Sequence, residues 1–169
     1  MSEKYFRNIY DENFWVDFYI NNSIKLNNLT VLVQKGNKFI DRLFNSENNQ
    51  DLLIMNYDIK DKENETISFI SYNILKRNVI EDIPDTNSLN KILKFEERLL
   101  KNINLIKTTL LCVYASDEES TRLDVEFGDP ILLIKTKFYQ NSELILYKEE
   151  FTNLETFIFE DKYNEGISL

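Results

Sequence analysis

Histidine is absent from the 169 residues and cysteine occurs once, as Cys112. Without imidazole the chain has no Ser/His/Asp or Cys/His nucleophile pair, no histidine general base and no zinc site built on histidine. A lone cysteine forms neither an intrachain disulfide nor a Cys-x-x-Cys redox pair, so nothing demands an oxidising compartment. Cys112 lies in the apolar run Leu110-Leu111-Cys112-Val113, which predicts a buried structural thiol rather than a nucleophile. There are three glycines and two prolines, and no stretch rich in Ser, Gly or Pro, so no flexible linker is expected to divide the chain. Uninterrupted apolar runs fall far short of the ~20 residues of a membrane-spanning helix. Residues 1–7 are polar and mixed in charge, with no apolar run of signal-peptide length behind them. The expectation is a soluble, cytoplasmic protein. Basic residues are outnumbered 20 to 29 by acidic ones, leaving a formal charge of -9. Such a surface repels phosphate backbones and anionic headgroups, which argues against nucleic acid or membrane as a direct partner.

The chain is instead rich in core-forming residues, 43% hydrophobic and 13% aromatic. At this length one domain buries roughly two-thirds of its unfolded surface and needs no metal or disulfide staple. Residues 3–19 place Phe6, Ile9, Tyr10, Phe14, Phe18 and Tyr19 near helical spacing beside Trp15, an amphipathic and partly helical segment whose aromatic stripe reads as packing. Strands are expected at 26–34, 52–59, 66–75, 103–114, 131–139 and 144–152, with a last one at 157–160. Short helices are expected at 37–44 and 88–100, and Ser116-Asp117-Glu118-Glu119 is a capping box opening a third that ends near Leu123.

The two halves echo each other. Asp41-Arg42-Leu43, a gap, Asp51-Leu52-Leu53-Ile54 and a turn precede the strand at 67–72. Thr121-Arg122-Leu123, a gap, Asp129-Pro130-Ile131-Leu132-Leu133-Ile134 and a turn precede Leu144-Ile145-Leu146-Tyr147. Strand, short helix and hairpin occur twice, which predicts a pseudo-symmetric α+β domain with one antiparallel sheet and short helices against it.

The stretch from Asp117 through Gly128-Asp129-Pro130 to Ile134 resembles the "short helix, Leu, apolar, Gly-x-Pro, apolar strand" pattern of UTRA domains, the effector-sensing halves of GntR-type bacterial regulators of the HutC subgroup. Phe138-Tyr139 and Leu144-Ile145-Leu146-Tyr147 look like that family's closing hairpin, and residues 84–93 look like its "Pro … Ser-Leu … Leu" helix. The resemblance covers about residues 25–160, with 1–24 an N-terminal amphipathic segment and 161–169 a C-terminal tail. It implies the chorismate lyase-like fold, a small-molecule effector bound between sheet and helices, and a homodimer. It also implies that DNA is reached only through a winged helix-turn-helix, for which the residues before the first strand are too few. No cofactor and no metal are expected. The rival expectation is a standalone chorismate lyase-type enzyme.

Under this resemblance the ligand-binding candidates are Asn56, Asp58, Tyr72, Ser88, Asn90, Tyr147 and Glu149. Asn56 and Asp58 stand where sugar-phosphate sensors carry basic residues. A carboxylate and an amide do not neutralise a phosphate, so a neutral polyol, an amine or an amino acid becomes the expected ligand class. Both residues also fit the solvent face of a strand. Ser88 opens a helix whose free N–H groups favour an anion, and it equally fits a plain N-cap; Asn90 follows it. Tyr72 is core or pocket lining. Tyr147, Glu149 and Glu150 lie on the last hairpin, where alternation lets at most one of the two glutamates face a pocket. Lys135, Lys137 and Lys148 read as a solvated face, and the strand at 52–59 carries no Arg or Lys to grip a dicarboxylate such as chorismate.

Overall fold

Apolar residues recurring every second position build the strands, and in the computed structural model six of them form one antiparallel sheet. The structure describes residues 5–8, 14–45, 50–79, 83–84 and 88–160. In chain order the elements are β1 (Tyr5–Asn8), α1 (Phe14–Asn21), β2 (Lys25–Lys35), α2 (Lys38–Leu43), β3 (Asp51–Lys60), β4 (Thr66–Leu75) and α3 (Leu89–Leu99). They continue with β5 (Leu105–Tyr114), α4 (Asp117–Leu123), β6 (Pro130–Gln140), β7 (Glu143–Thr152) and β8 (Phe157–Glu160). The sheet order is β2-β3-β4-β7-β6-β5, while β1 and β8 pair in parallel as a separate ribbon.

The echo seen in the sequence is a spatial one. The units β2-α2-β3-β4 and β5-α4-β6-β7 form the two halves of the sheet, joined where β4 runs antiparallel to β7 with Ser71 opposite Glu149. The expected single sheet gains the β1/β8 ribbon, because the N-terminal aromatic segment divides into a strand and a helix. The candidate tail at 161–169 lies outside the described residues. Among the described residues no helix is long and apolar enough to cross a membrane.

Strand alternation gives the sheet two faces. The inner face carries Met55, Tyr57, Ile70, Tyr72, Phe138 and Leu146, packed against Phe14, Trp15 and Phe18 of α1 and Leu89, Ile92, Leu93 and Phe95 of α3. The outer face holds two smaller clusters, one beside α2 with Leu52, Leu75 and Tyr147, the other beneath α4 with Phe69, Leu123 and Ile131.

Local chemistry fixes the short helices. Asn37 caps α2 by accepting the Ile40 N–H at 3.0 Å, and the Glu119 carboxylate reaches back to the Ser116 N–H at 2.9 Å, the capping box expected for α4. That helix ends on Asp124 in the left-handed region at φ 52°, and Gly128 turns into β6 at φ 84° with open space where a Cβ would sit. Ser88 occupies the N-cap position of α3, but its side chain makes no capping hydrogen bond.

One expectation fails on topology. Cys112 is exposed, not buried, because β5 is an edge strand paired only with β6. Leu105, Leu110, Leu111 and Tyr114 on the same strand are exposed as well.

Candidate functional site

Half of the inner face is filled by side chains and half is not. Over β3 and β4 the layer of α1 and α3 closes on the sheet. Over β7, β6 and β5 it leaves two cavities of about 300 Å3 and 600 Å3 that share Trp15, Glu96, Ile106, Phe138 and Lys148 in their walls.

Two ion pairs stand at the sheet side of this space. Glu150 of β7 is 1% exposed and accepts the Trp15 indole N–H on Oε1 at 2.6 Å, while the Arg7 guanidinium binds Oε2. Arg7 lies 4.4 Å from the Phe14 ring centroid and within 5.6 Å of Trp15, Phe157 and Phe159. An aromatic cage of this kind holds a desolvated guanidinium by its ring quadrupoles. Two residues earlier on β7, the Lys148 ammonium contacts Glu96 Oε1 of α3 at 3.4 Å and sits 5.2 Å from the Tyr72 ring centroid. Tyr72 donates its hydroxyl to the other Glu96 oxygen and lies 3.1 Å from the Tyr57 hydroxyl. Burial, and then the Glu96 carboxylate, push the Tyr57 and Tyr72 hydroxyls well above the usual tyrosine range. The phenols therefore stay neutral donors at any physiological pH.

The sequence candidates divide between the two faces. Asn56, Asp58, Tyr147 and Glu149 are brought together on the outer face, where Asn56 and Glu149 flank Ser71 from either side and Tyr147 donates its hydroxyl to Glu149. Asp58 is 3% exposed; its Oδ2 accepts from Asn28 at 2.7 Å, and Arg122 of α4 lies 3.8 Å from Oδ1. Asn56 Oδ1 and Asp58 Oδ1 accept no hydrogen bond among the described residues. Tyr72 is on the inner face, buried and bonded to the cavity residue Glu96. Ser88 and Asn90, at the start of α3, do not line either cavity. Of the two glutamates on the last hairpin, Glu150 faces the cavity and Glu149 does not.

Sequence reasoning missed Arg7, Glu96 and Lys148. Lys148 in particular is not part of a solvated face, since its side chain is 12% exposed and lines both cavities. The signal available was parity: a lysine alternating with Leu146 and Glu150 must share their face. Asp61, Glu63 and Glu65 cluster in the β3–β4 turn, but Asp61 Oδ1 is already occupied by the Glu63 and Glu65 backbone N–H groups at 2.9 and 3.0 Å. That is turn chemistry rather than a ligand set.

No family model matches the sequence, and no curated protein matches it significantly. Solved structures do match. YydK of Bacillus subtilis subsp. subtilis str. 168, a possible transcriptional regulator, superposes with a TM-score of 0.77 at 18% identity, over 97% of this chain and 70% of that one. The effector-binding domain of the B. subtilis trehalose repressor gives 0.71 at 16% identity, over 84% of this chain and 99% of that one. The ligand-binding domain of a regulator assigned to the GntR family, from Bordetella bronchiseptica, gives 0.67 at 13% identity, over 83% and 91%. The chain thus has the fold of the effector-binding, or UTRA, domains of GntR-family transcriptional regulators.

Proposed function

We propose that the chain is the effector-sensing and dimerisation domain of a GntR-family transcriptional regulator of the HutC subgroup, acting in the cytoplasm. Residues 25–160 would form the body of the sensing unit, to which the segment 1–24 adds Arg7, Phe14 and Trp15 as walls of the cavity, with 161–169 as a flanking segment. A homodimer of this unit would set the spacing of winged helix-turn-helix heads lying outside these 169 residues, and the charge of -9 leaves DNA contact to those heads. A bound effector would act by favouring one arrangement of the dimer, and only by as much as its affinity differs between arrangements.

The observation that carries this reading is the open inner-face cavity, floored by sheet residues and bearing a lysine with a single hydrogen bond among the described residues, in a fold that the trehalose repressor uses as its effector-binding domain. A sensing role rather than catalysis also fits a cavity whose two carboxylates are both tied into hydrogen bonds with neighbouring side chains.

Thermal melting against sugars, amines, amino acids, carboxylates and sugar phosphates tests the proposal. A ligand at 100 times its Kd adds about 2.7 kcal/mol of stability. A hit that stabilises wild type and Asn56→Leu but not Lys148→Met places the ligand on the inner face; the reverse pattern places it among Asn56, Asp58, Tyr147 and Glu149. No stabilising compound, together with pyruvate release from chorismate, would replace sensing by the lyase reading.

A further inference from the structure

This inference rests on the sensing role above and adds the chemistry of the ligand. Three polar side chains cross the floor of the smaller cavity in a single register row. Lys148 on β7 stands opposite Thr136 on β6, which stands opposite Thr108 on β5, and all three line the cavity. On β6 and β5 the flanking positions are apolar, Ile134 with Leu110 on one side and Phe138 with Ile106 on the other, while on β7 the first of these rows ends in Glu150, held by Arg7 and Trp15. The floor is therefore greasy with one polar stripe across it.

The unengaged groups on that stripe are mostly donors. Both oxygens of Glu96 are occupied, by Tyr72 and Lys148, and both oxygens of Glu150, by Trp15 and Arg7. An ammonium ligand would have to share these carboxylates with Lys148 and Arg7, against their like charge. Arg7 is committed to Glu150 inside its aromatic cage. Lys148 is different: an ammonium has three N–H donors, and this one makes a single hydrogen bond, 3.4 Å long, among the described residues. The Thr136 and Thr108 hydroxyls lie in line with it, giving up to four N–H and O–H groups along the stripe.

The anion that fits carries one charge. Arg7 and Lys148 are each opposed by a carboxylate, so the charges of the site balance, and a phosphate dianion would bring twice the uncompensated charge of a carboxylate into it. Two coplanar oxygens of a carboxylate can take a Lys148 N–H and the Thr136 hydroxyl together. The remainder of such a ligand would lie against Phe138, Ile106, Ile134 and the Trp15 ring, where burial of apolar area stabilises it by roughly 25 cal/mol per Å2. We propose that this cavity takes a monocarboxylate with an apolar body, aromatic or aliphatic, seated with its carboxylate on Lys148 and Thr136.

Trp15 is the only tryptophan of the chain and lines both cavities, so its emission reports occupancy directly. Wild type is titrated with benzoate, 3-phenylpropionate, hexanoate and octanoate, against benzamide, octanamide, octylamine and glucose 6-phosphate. Carboxylates are expected to change Trp15 emission saturably and to bind at least ~10-fold more tightly than the matching amides. Lys148→Met, which keeps the stem over Tyr72, should weaken a carboxylate by about 10- to 100-fold, the range for a hydrogen bond to a charged group, while leaving the amide unchanged. Lys148→Arg should restore most of the affinity, and Thr136→Val should give a smaller loss. If Lys148→Met does not fold, the carboxylate-to-amide ratio in wild type and the Thr136→Val loss decide the matter. Binding of an amide, an amine or glucose 6-phosphate as tight as that of the carboxylates, with the same Trp15 signal, would overturn the ligand class and leave the sensing role standing. Silence of Trp15 toward these probes, with no compound of any class raising the melting temperature, would remove both.

Discussion

The Trp15 indole N–H donates to Glu150 Oε1 at 2.6 Å, tying the helix that precedes the sheet to one of its two central strands across 135 positions of chain. Glu150 is buried, and it also holds Arg7 of β1. Helix, ribbon and sheet therefore meet on one carboxylate. Glu150→Ala would leave a caged guanidinium and an indole N–H without an acceptor, and breaking a buried pair from one side costs about 3–5 kcal/mol. Trp15→Phe keeps the ring packing and leaves the Arg7–Glu150 pair, so it should cost less, about 1–3 kcal/mol. Urea denaturation followed by circular dichroism measures both, and a Glu150→Ala cost below that of Trp15→Phe would show that the pair is not the anchor.

The Tyr57–Tyr72–Glu96 chain gives an asymmetric pair of variants. Tyr57→Phe removes the end of the chain and leaves Tyr72 donating to Glu96; it should cost about 0.5–1.5 kcal/mol. Tyr72→Phe removes the middle and strands a buried phenol and a carboxylate oxygen, at about 1–3 kcal/mol. Equal losses in urea melts would contradict the chain.

These phenols also make the fold sensitive to alkali. Tyr57 and Tyr72 are raised by burial and then by Glu96, and Tyr147 by burial and then by its bond to Glu149. A group whose folded pKa lies above its unfolded value contributes stability in full below the unfolded pKa, and that contribution falls away as pH rises beyond it. Stability should hold up to about pH 10, the ordinary tyrosine value, and decline above it. In a spectrophotometric titration of the folded protein, fewer than the nine tyrosines should ionise before unfolding begins. Ionisation of all nine with the fold intact would contradict the burial of these three.

Asp124 ends α4 in the left-handed region at φ 52° and places a carboxylate at a helix C-terminus. Both features are unfavourable, the first for any residue with a Cβ and the second by the helix dipole. Asp124→Gly removes both and should stabilise by about 0.5–1 kcal/mol after the entropy that glycine adds to the unfolded chain. A lower melting temperature for this variant would mean that the carboxylate has a partner that offsets its position.

Cys112 on the edge strand should react with one equivalent of an aromatic disulfide reagent in native buffer at a rate close to that in urea, since its side chain is exposed. Reaction only after denaturation would mean that something covers β5 in solution.

Strand positions were legible because alternation and turn residues are local, and the doubled strand-helix-hairpin unit fell out of the repeated Asp/Thr-Arg-Leu and Asp-x-apolar segments. The faces were harder to read. The sequence of the last hairpin points to Tyr147 and Glu149, whereas the cavity is reached by their neighbours Lys148 and Glu150. A one-residue difference in a strand exchanges the two sides of a sheet, and which side stays open depends on how α1 and α3 pack, which no local pattern encodes. Cys112 failed for the same reason: its neighbours in sequence are apolar, but its neighbours in space depend on β5 having the edge position. Arg7 reaches the cavity through the pairing of β1 with β8, which brings the two ends of the described chain together and which no local pattern encodes.

The seam between β4 and β7 has a kinetic consequence. The hairpins β3/β4 and β6/β7 join strands adjacent in sequence, but the seam pairs residues as far apart as Ser68 and Thr152. Loops of that length close slowly compared with hairpin turns, and non-local pairing sets folding rates. Each half is expected to acquire its own hairpin first and the zipping of the seam to limit the overall rate, so the two copies of the repeat would behave as successive folding units of one cooperative domain.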